Sequence, residues 1–346
     1  MSQVKKVLVV DDSAYVRKVV SQIISRSPFL EVVGTARDGR DALEKVEEYR
    51  PDVITCDLIM PEMDGVEFVR EQMKRRRVPI IIMSIASETA EMALTALEVG
   101  AIDFVQKPTA LATEKLLEIA DELIAKVKTA AEIPVTKPAA VLSAESISTD
   151  FQEPQKGAVD IVVLGISTGG PQALRYMIPQ LPADLRVPMA IVMHMPVGYT
   201  EMYAQKLNQL SKLQFLEAKE GDLLESGTVI LAPAGRHLSL KRNDEGKVVA
   251  HLDARPFDTL HRPSIDVLFQ SAAETYGSRV LGVVMTGMGS DGKEGASWIK
   301  AQGGIVFTES EETCVVYGMP RAVVEVGLSD KRVPLEQMSR AIWEVV

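Results

Sequence analysis

Cysteine is nearly absent from the 346 residues: Cys56 and Cys314 are the two present, each in an apolar, strand-like run. Neither spacing suits a pair or a metal ligand set, which argues against a disulfide framework or a zinc site. Long apolar runs are lacking too, and no segment approaches the roughly 20 residues a membrane helix needs. The N-terminal "KKVLVV" has the lysines and the apolar start of a secretion signal, but Asp11 and Asp12 cut it short. It reads as a buried first strand, and the expected location is the cytoplasm, with membranes reached only through a partner. Positive charge is in deficit, 38 Lys and Arg against 48 Asp and Glu, a formal net charge of -10. A general binder of nucleic-acid phosphates needs the opposite balance, so no nucleic-acid partner is expected.

What is present is a folded, water-compatible composition, 46% hydrophobic and 25% charged. The length exceeds what one core usually supports and predicts two domains. From the start, short β-branched runs alternate with helical patterns: "KVLVV", "AYVRKVVSQIISR", "EVVGTA", "GRDALEKVEEY", "DVITCD" and onward to "TEKLLEIADELIAKVKTAA". This alternation predicts a parallel sheet covered on both faces. The first domain is expected over residues 1–125. Residues 126–157, rich in Pro, Ser, Thr and Ala without a sustained period, read as a linker. The alternation resumes over residues 158–346, with a hairpin at 237–252 turning on "NDEG". No internal repeat is visible.

In an open parallel sheet the crevice lies beyond the carboxyl ends of the strands. Asp11 and Asp12 follow "VLVV", Asp57 follows "DVITC", Ser84 ends "PIIIMS" and Lys107 ends "DFVQK". One aspartate at a strand end reads as a helix cap. An acid pair, a further acid, a hydroxyl and a lysine on separate strand ends read as a site, and gathered carboxylates suit Mg²⁺. "VLVVDDSAYVRK", "DVITCDLIMPEMDG", "IIIMSI" and "DFVQKP" resemble the response-regulator receiver family. The resemblance implies a flavodoxin-like domain in which Asp57 accepts a phosphoryl group from a histidine kinase. It further implies that Asp11 and Asp12 hold Mg²⁺ with Asp57, that Ser84 and Lys107 contact the phosphoryl group, that Phe104 is an aromatic switch, and that Lys107-Pro108 is cis.

The second half carries "VVLGISTGGPQAL", in which Gly165-Ile166-Ser167-Thr168-Gly169 satisfies the G-x-S-x-G pattern between a strand and a helix. The same glycines would suit a phosphate loop at a helix N-terminus. A nucleophilic serine needs a base and a group to orient it. Of four histidines, His194 ends "PMAIVMH" on the same sheet edge and is the best base; His261 is second. Asp291, delivered by "TGMGSDG" after strand "RVLGVVM", is the best orienting acid, although a helix cap would also explain it. Asp266 is weaker because it falls in the first turn of a helix expected to be capped by Ser264.

The order Ser, His, Asp departs from that of ordinary α/β-hydrolases. With "GISTGGPQAL", "IVMHMPVGYT", "APAGRHL", "HRPSIDVLF" and "VMTGMGSDG", residues 158–346 resemble the catalytic domain of the chemotaxis protein-glutamate methylesterases. The resemblance implies two doubly wound α/β domains, the second a Rossmann-like esterase. It implies that Ser167, His194 and Asp291 hydrolyse glutamate methyl esters on chemoreceptors, releasing methanol, and deamidate receptor glutamines. Backbone N–H groups near Met288 and the hydroxyl or backbone of Thr168 would support the oxyanion, no cofactor would serve the hydrolysis, and the unphosphorylated receiver would cover the active site. A transcription regulator would need a basic helical reader, which the second half lacks, and a phosphate-binding loop would leave His194 and Asp291 without a role.

Overall fold

In the computed structural model the chain divides into two compact units, Met1–Val141 and Leu142–Val346. Residues 3–84, 89–107, 113–133, 159–256 and 258–346 are described, the α5 side chains from residue 119 onward. The first unit alternates strictly: β1 (Lys5–Val10), α1 (Ala14–Ile24), β2 (Leu30–Ala36), α2 (Gly39–Tyr49), β3 (Val53–Asp57), α3 (Gly65–Arg75), β4 (Ile80–Ser84), α4 (Ala90–Val99), β5 (Asp103–Gln106) and α5 (Thr113–Ala131). The strands form one sheet in the order β2-β1-β3-β4-β5, every pair parallel. All residues of β3 and β4 are buried, which explains their unbroken apolar runs, since helices cover both faces. On one face, Val7, Val9, Val53, Ile81, Met83 and Val105 pack with Val20, Ile23 and Ile24 of α1 and Leu123 and Val127 of α5. The helix α5 continues to Ala131, past the boundary expected at residue 125, because its helical pattern persists into the Ala-rich "AKVKTAA". The rest of the expected linker, residues 134–157, and the Lys107-Pro108 bond lie outside the described residues.

The second unit contains β6 (Ile161–Ile166), α6 (Gly170–Met177), β7 (Met189–Met193), α7 (Thr200–Leu210), β8 (Gln214–Glu217), β9 (Thr228–Leu231), β10 (His237–Arg242), β11 (Val248–Asp253), α8 (Ile265–Tyr276), β12 (Val280–Val284), α9 (Lys293–Ala301), β13 (Ile305–Glu309), α10 (Met319–Glu325), β14 (Lys331–Val333) and α11 (Leu335–Trp343). Its main sheet has the order β14-β13-β12-β6-β7-β9-β8, again with every pair parallel. The expected hairpin is β10-β11, antiparallel from His237↔Asp253 to Arg242↔Val248. Its Leu238, Leu240, Val248 and Ala250 pack into one core with Leu268, Phe269 and Ala272 of α8.

Each sheet reverses its winding once, and this decides where a site can form. In the first unit the reversal falls between β1 and β3, in the second between β6 and β12. Connections leave those neighbouring strands toward opposite faces, so a crevice opens at their carboxyl ends. Asp11 and Asp12 follow β1 and Asp57 ends β3; Ser167 follows β6 and Asp291 lies beyond β12.

Candidate active site

Beyond β6 the chain makes a tight turn into α6. The Ser167 N–H donates to the Thr286 carbonyl beyond β12 at 2.9 Å, and Gly170 N–H turns back to the Ser167 carbonyl at 2.7 Å. Gly169 closes the turn with φ +80°, a left-handed conformation that favours glycine. Facing it, a Cβ on Gly287 would lie 2.8 Å from the Ser167 Cβ, so a glycine is needed there for the Ser167 turn to approach. His194 follows β7, and its Nδ1 lies 3.2 Å from Ser167 Oγ. Its Nε2 lies 2.8 Å from Asp291 Oδ2. The structure thus brings Ser167, His194 and Asp291, from three separate loops at one sheet edge, into a hydrogen-bonded line.

The surroundings fix how this line is polarised. Asp291 accepts from the backbone N–H of Ile265 at 2.8 Å and of Asp266 at 3.0 Å, and from the Ser264 hydroxyl at 3.0 Å. It therefore sits on the N-terminus of α8. Burial works to raise the Asp291 carboxyl's pKa, but the donors from His194, Ile265 and Asp266 hold it well below the usual carboxylate range. A carboxylate facing Nε2 places the ring proton there and leaves Nδ1 free to accept from Ser167. The Ser264 side chain does not cap α8, as the sequence suggested; its hydroxyl serves Asp291 instead. Nor is Asp291 the N-cap residue of α9, a position held by Gly292. His261, the second candidate base, stacks on His194 with ring centroids 3.9 Å apart and planes 23° apart.

At the first unit's crevice, carboxylate oxygens of Asp11, Asp12 and Asp57 lie within 4.8 Å of one another. Lys107 Nζ stands 3.0 Å from Asp11 Oδ2 and 2.6 Å from Asp57 Oδ2. The helix-cap reading fails here: α1 is capped by Ser13, and Asp57 Oδ1 accepts from the next N–H groups, Leu58 at 2.6 Å and Ile59 at 3.4 Å. Burial pushes the Asp57 carboxyl up, and Lys107 pulls it back without cancelling the rise. Burial likewise pulls Lys107 down, but Asp57 and Asp11 outweigh it and its ammonium is stabilised. Asp11 Oδ2 is buried with no hydrogen-bond donor aligned to it, Lys107 being at ion-pair distance only. Three carboxylates gathered within 4.8 Å, with a buried Asp11 oxygen held only by an ion pair, fit Mg²⁺. Ser84 is buried on the same rim with its hydroxyl against that of Thr89. Phe104 is buried on β5, with Lys126 Nζ bonded to its carbonyl at 2.9 Å and 5.9 Å from its ring centre.

Two domain families match this chain, one in each half. One, described as CheB methylesterase, covers residues 162–342. The chain belongs to the CheB methylesterase family. The other, described as the response regulator receiver domain, covers residues 7–121. Protein-glutamate methylesterase/protein-glutamine glutaminase 5 of Myxococcus xanthus strain DK1622 is 50% identical over 336 residues, 96% of this chain and 95% of that one. The protein-glutamate methylesterase/protein-glutamine glutaminase of Geobacillus kaustophilus strain HTA426 is 42% identical over 348 residues, 99% and 98% of the two chains. The crystal structure of the Thermotoga maritima CheB methylesterase catalytic domain is 41% identical with a TM-score of 0.53, covering 54% of this chain and 99% of that one.

In this CheB family chain several supporting groups escaped the sequence reading. His237 is 1% exposed; its Nδ1 accepts from Ser264 N–H at 3.1 Å, and its Nε2 donates to the Pro256 carbonyl at 3.0 Å. It thereby fixes the residue whose hydroxyl serves Asp291, and burial pulls its own pKa down. Thr286 was passed over between "GVVM" and Gly287, yet its hydroxyl donates to the Thr168 carbonyl at 2.9 Å. Thr168 itself is buried, and Met288 lies half-buried in the loop after β12. The overlooked signal was the same one that had marked Asp57: a polar residue ending an apolar strand.

Proposed function

We propose that this chain is a serine hydrolase of glutamate methyl esters on chemoreceptors, releasing methanol, and that it also deamidates particular receptor glutamines. The observation that carries the reading is the continuous line Ser167 Oγ, His194 Nδ1 and Nε2, Asp291 Oδ2, at 3.2 and 2.8 Å. Ser167 Oγ attacks the ester carbonyl while His194 Nδ1 takes its proton, and Asp291 holds the imidazolium that results. His194 then gives the proton to the leaving methoxide, and methanol departs from an acyl-enzyme on Ser167. Water, activated by the same His194, resolves the acyl-enzyme to the free glutamate. With a glutamine side chain the leaving group is ammonia. Donors at Thr168 and Met288 stabilise the oxyanion, each contributing about 3 kcal/mol.

The receiver domain controls this chemistry. Asp57 accepts a phosphoryl group from a chemotaxis histidine kinase, and phosphorylation relieves a restraint on the esterase. Asp11, Asp12 and Asp57 would hold Mg²⁺, which when bound supplies charge neutralisation for phosphoryl transfer. Lys107 and Ser84 then contact the phosphoryl oxygens, and Phe104 registers the change. Among the described residues no helix is long and apolar enough to cross a membrane. The chain acts in the cytoplasm and meets the membrane through its receptors.

The test is methanol release from membranes carrying methyl-labelled chemoreceptors. The wild type should release methanol and Ser167→Ala should not. Absence of release by a folded wild type would return "STGG" to the role of a binding loop.

A further inference from the structure

A second buried acid lies behind the nucleophile. Glu309 ends β13 with no exposed surface, and a buried carboxyl must have a reason to stay. Its Oε2 accepts the Thr286 backbone N–H at 2.9 Å, and its Oε1 meets the Thr313 hydroxyl at 3.0 Å. Thr286 touches the nucleophile turn twice. Its carbonyl accepts the Ser167 N–H at 2.9 Å, and its hydroxyl donates to the Thr168 carbonyl at 2.9 Å while accepting from Val316 N–H at 3.0 Å. The next residue, Gly287, donates to the Val316 carbonyl at 3.0 Å and accepts from Met319 N–H at 2.9 Å.

We infer that Glu309 is a positioning residue for hydrolysis: through Thr286 it sets the Ser167–Thr168 backbone and the 286–288 loop in register with each other. Two parts of the reaction centre, the nucleophile and the donors around the oxyanion, sit on separate chain segments, and Thr286 is the residue bonded to both. Thr286 in turn has its backbone N–H fixed by one side chain. Glu309 touches no reacting atom; its effect passes through a 2.9 Å bond to a main-chain group. One oxygen accepts from the Thr286 N–H and the other from the Thr313 hydroxyl, which itself receives the Leu335 N–H at 3.1 Å. Burial pushes Glu309 up to about 7. A glutamine keeps the acceptor for the Thr286 N–H and meets Thr313 with its amide N–H₂, the Thr313 hydroxyl then donating to the Ser310 carbonyl.

This inference rests on Ser167 being the nucleophile, and the test separates the two. Methanol release is measured on the full chain for wild type, Ser167→Ala, Glu309→Ala and Glu309→Gln, below the melting temperature of each, with kcat and KM resolved. Misplacement of the reacting geometry by an ångström costs about 100-fold in rate. Glu309→Ala should therefore lose on the order of 10- to 100-fold in kcat with KM nearly unchanged, and Glu309→Gln should recover to within about threefold. A folded Glu309→Ala with wild-type kcat would overturn the inference, as would Glu309→Gln being as impaired as Glu309→Ala. If Glu309→Ala does not fold, Glu309→Gln and Thr286→Val decide: the inference requires the first to stay active and the second to lose kcat. An inactive wild type would instead sink the esterase reading itself.

Discussion

Asp291 and Asp266 each serve the helix of the other. Asp291, in the loop before α9, accepts from Ile265 and Asp266 at the start of α8. Asp266 accepts from Gly292 N–H at 2.9 Å and Gly295 N–H at 2.6 Å at the start of α9. The exchange ties the carboxylate that is hydrogen-bonded to His194 to two helix N-termini, where a negative charge is stabilised. Only one of the pair keeps its charge readily: burial, with the nearby Asp291 charge adding to it, pushes Asp266 up to about 7.

Removing one half of the exchange should loosen the other. Asp266→Ala should cost about 1 kcal/mol as a lost helix cap and also lower kcat, because the loop carrying Asp291 is no longer pinned. Asp266→Asn keeps an acceptor and should retain most of both. Urea midpoints and methanol release, measured side by side, check the pairing of the two effects.

The stacked histidines have unequal tasks. His194→Ala should reduce kcat by about 10⁴-fold or more, the scale seen when a triad base is removed. His261→Ala leaves the hydrogen-bonded line intact and should keep most of the activity, with a loss of about tenfold at most from a less constrained His194 ring. The reverse ranking would make His261 the base.

Control by the first unit is tested by a small phosphodonor with Mg²⁺. The wild type should gain one phosphoryl group in intact mass and release methanol faster, whereas Asp57→Asn should do neither. Chelating Mg²⁺ should abolish the mass gain and leave basal esterase activity unaltered, because in the proposed mechanism Ser167, His194 and Asp291 supply the nucleophile, the base and the orienting acid.

Glu309 predicts a pH dependence of stability. Its folded pKa, about 7, exceeds the ordinary value of 4.5. The neutral form is favoured in the folded state, so its contribution is complete below about pH 4.5 and is lost as pH rises through 7. The scale is on the order of 3 kcal/mol. Asp266 adds a loss in the same direction, so the comparison must be made against Glu309→Gln. Across that window the wild type should lose stability relative to Glu309→Gln in chemical denaturation; parallel curves would contradict a neutral buried acid.

Much of this architecture was readable from the sequence, because both sheets are parallel and buried on two faces. That physics writes short apolar runs separated by amphipathic helices. It also leaves polar side chains at strand ends, so the places of Asp11, Asp57, Ser167 and His194 beside their strands could be read from where apolar runs stop. Asp291 was found by the same rule but with its neighbourhood misread: a local cap for α9 is what one segment can show, whereas the exchange with Asp266 joins residues 25 and more positions apart. The stacking of His261 and the anchoring of Thr286 by Glu309 are likewise contacts between distant segments. Hydrophobic periodicity records which face of an element is buried and carries no information about which partner a buried polar group finds.

The most direct test of the account is where a fluorophosphonate attaches. Such a reagent forms a stable bond only with a serine that a neighbouring base activates. Peptide mass mapping of the labelled full chain should find the adduct on Ser167, strongly slowed in His194→Ala and slowed in Asp291→Ala. An adduct on another residue, or an unlabelled Ser167 in folded wild-type protein, would contradict the triad on which the function rests.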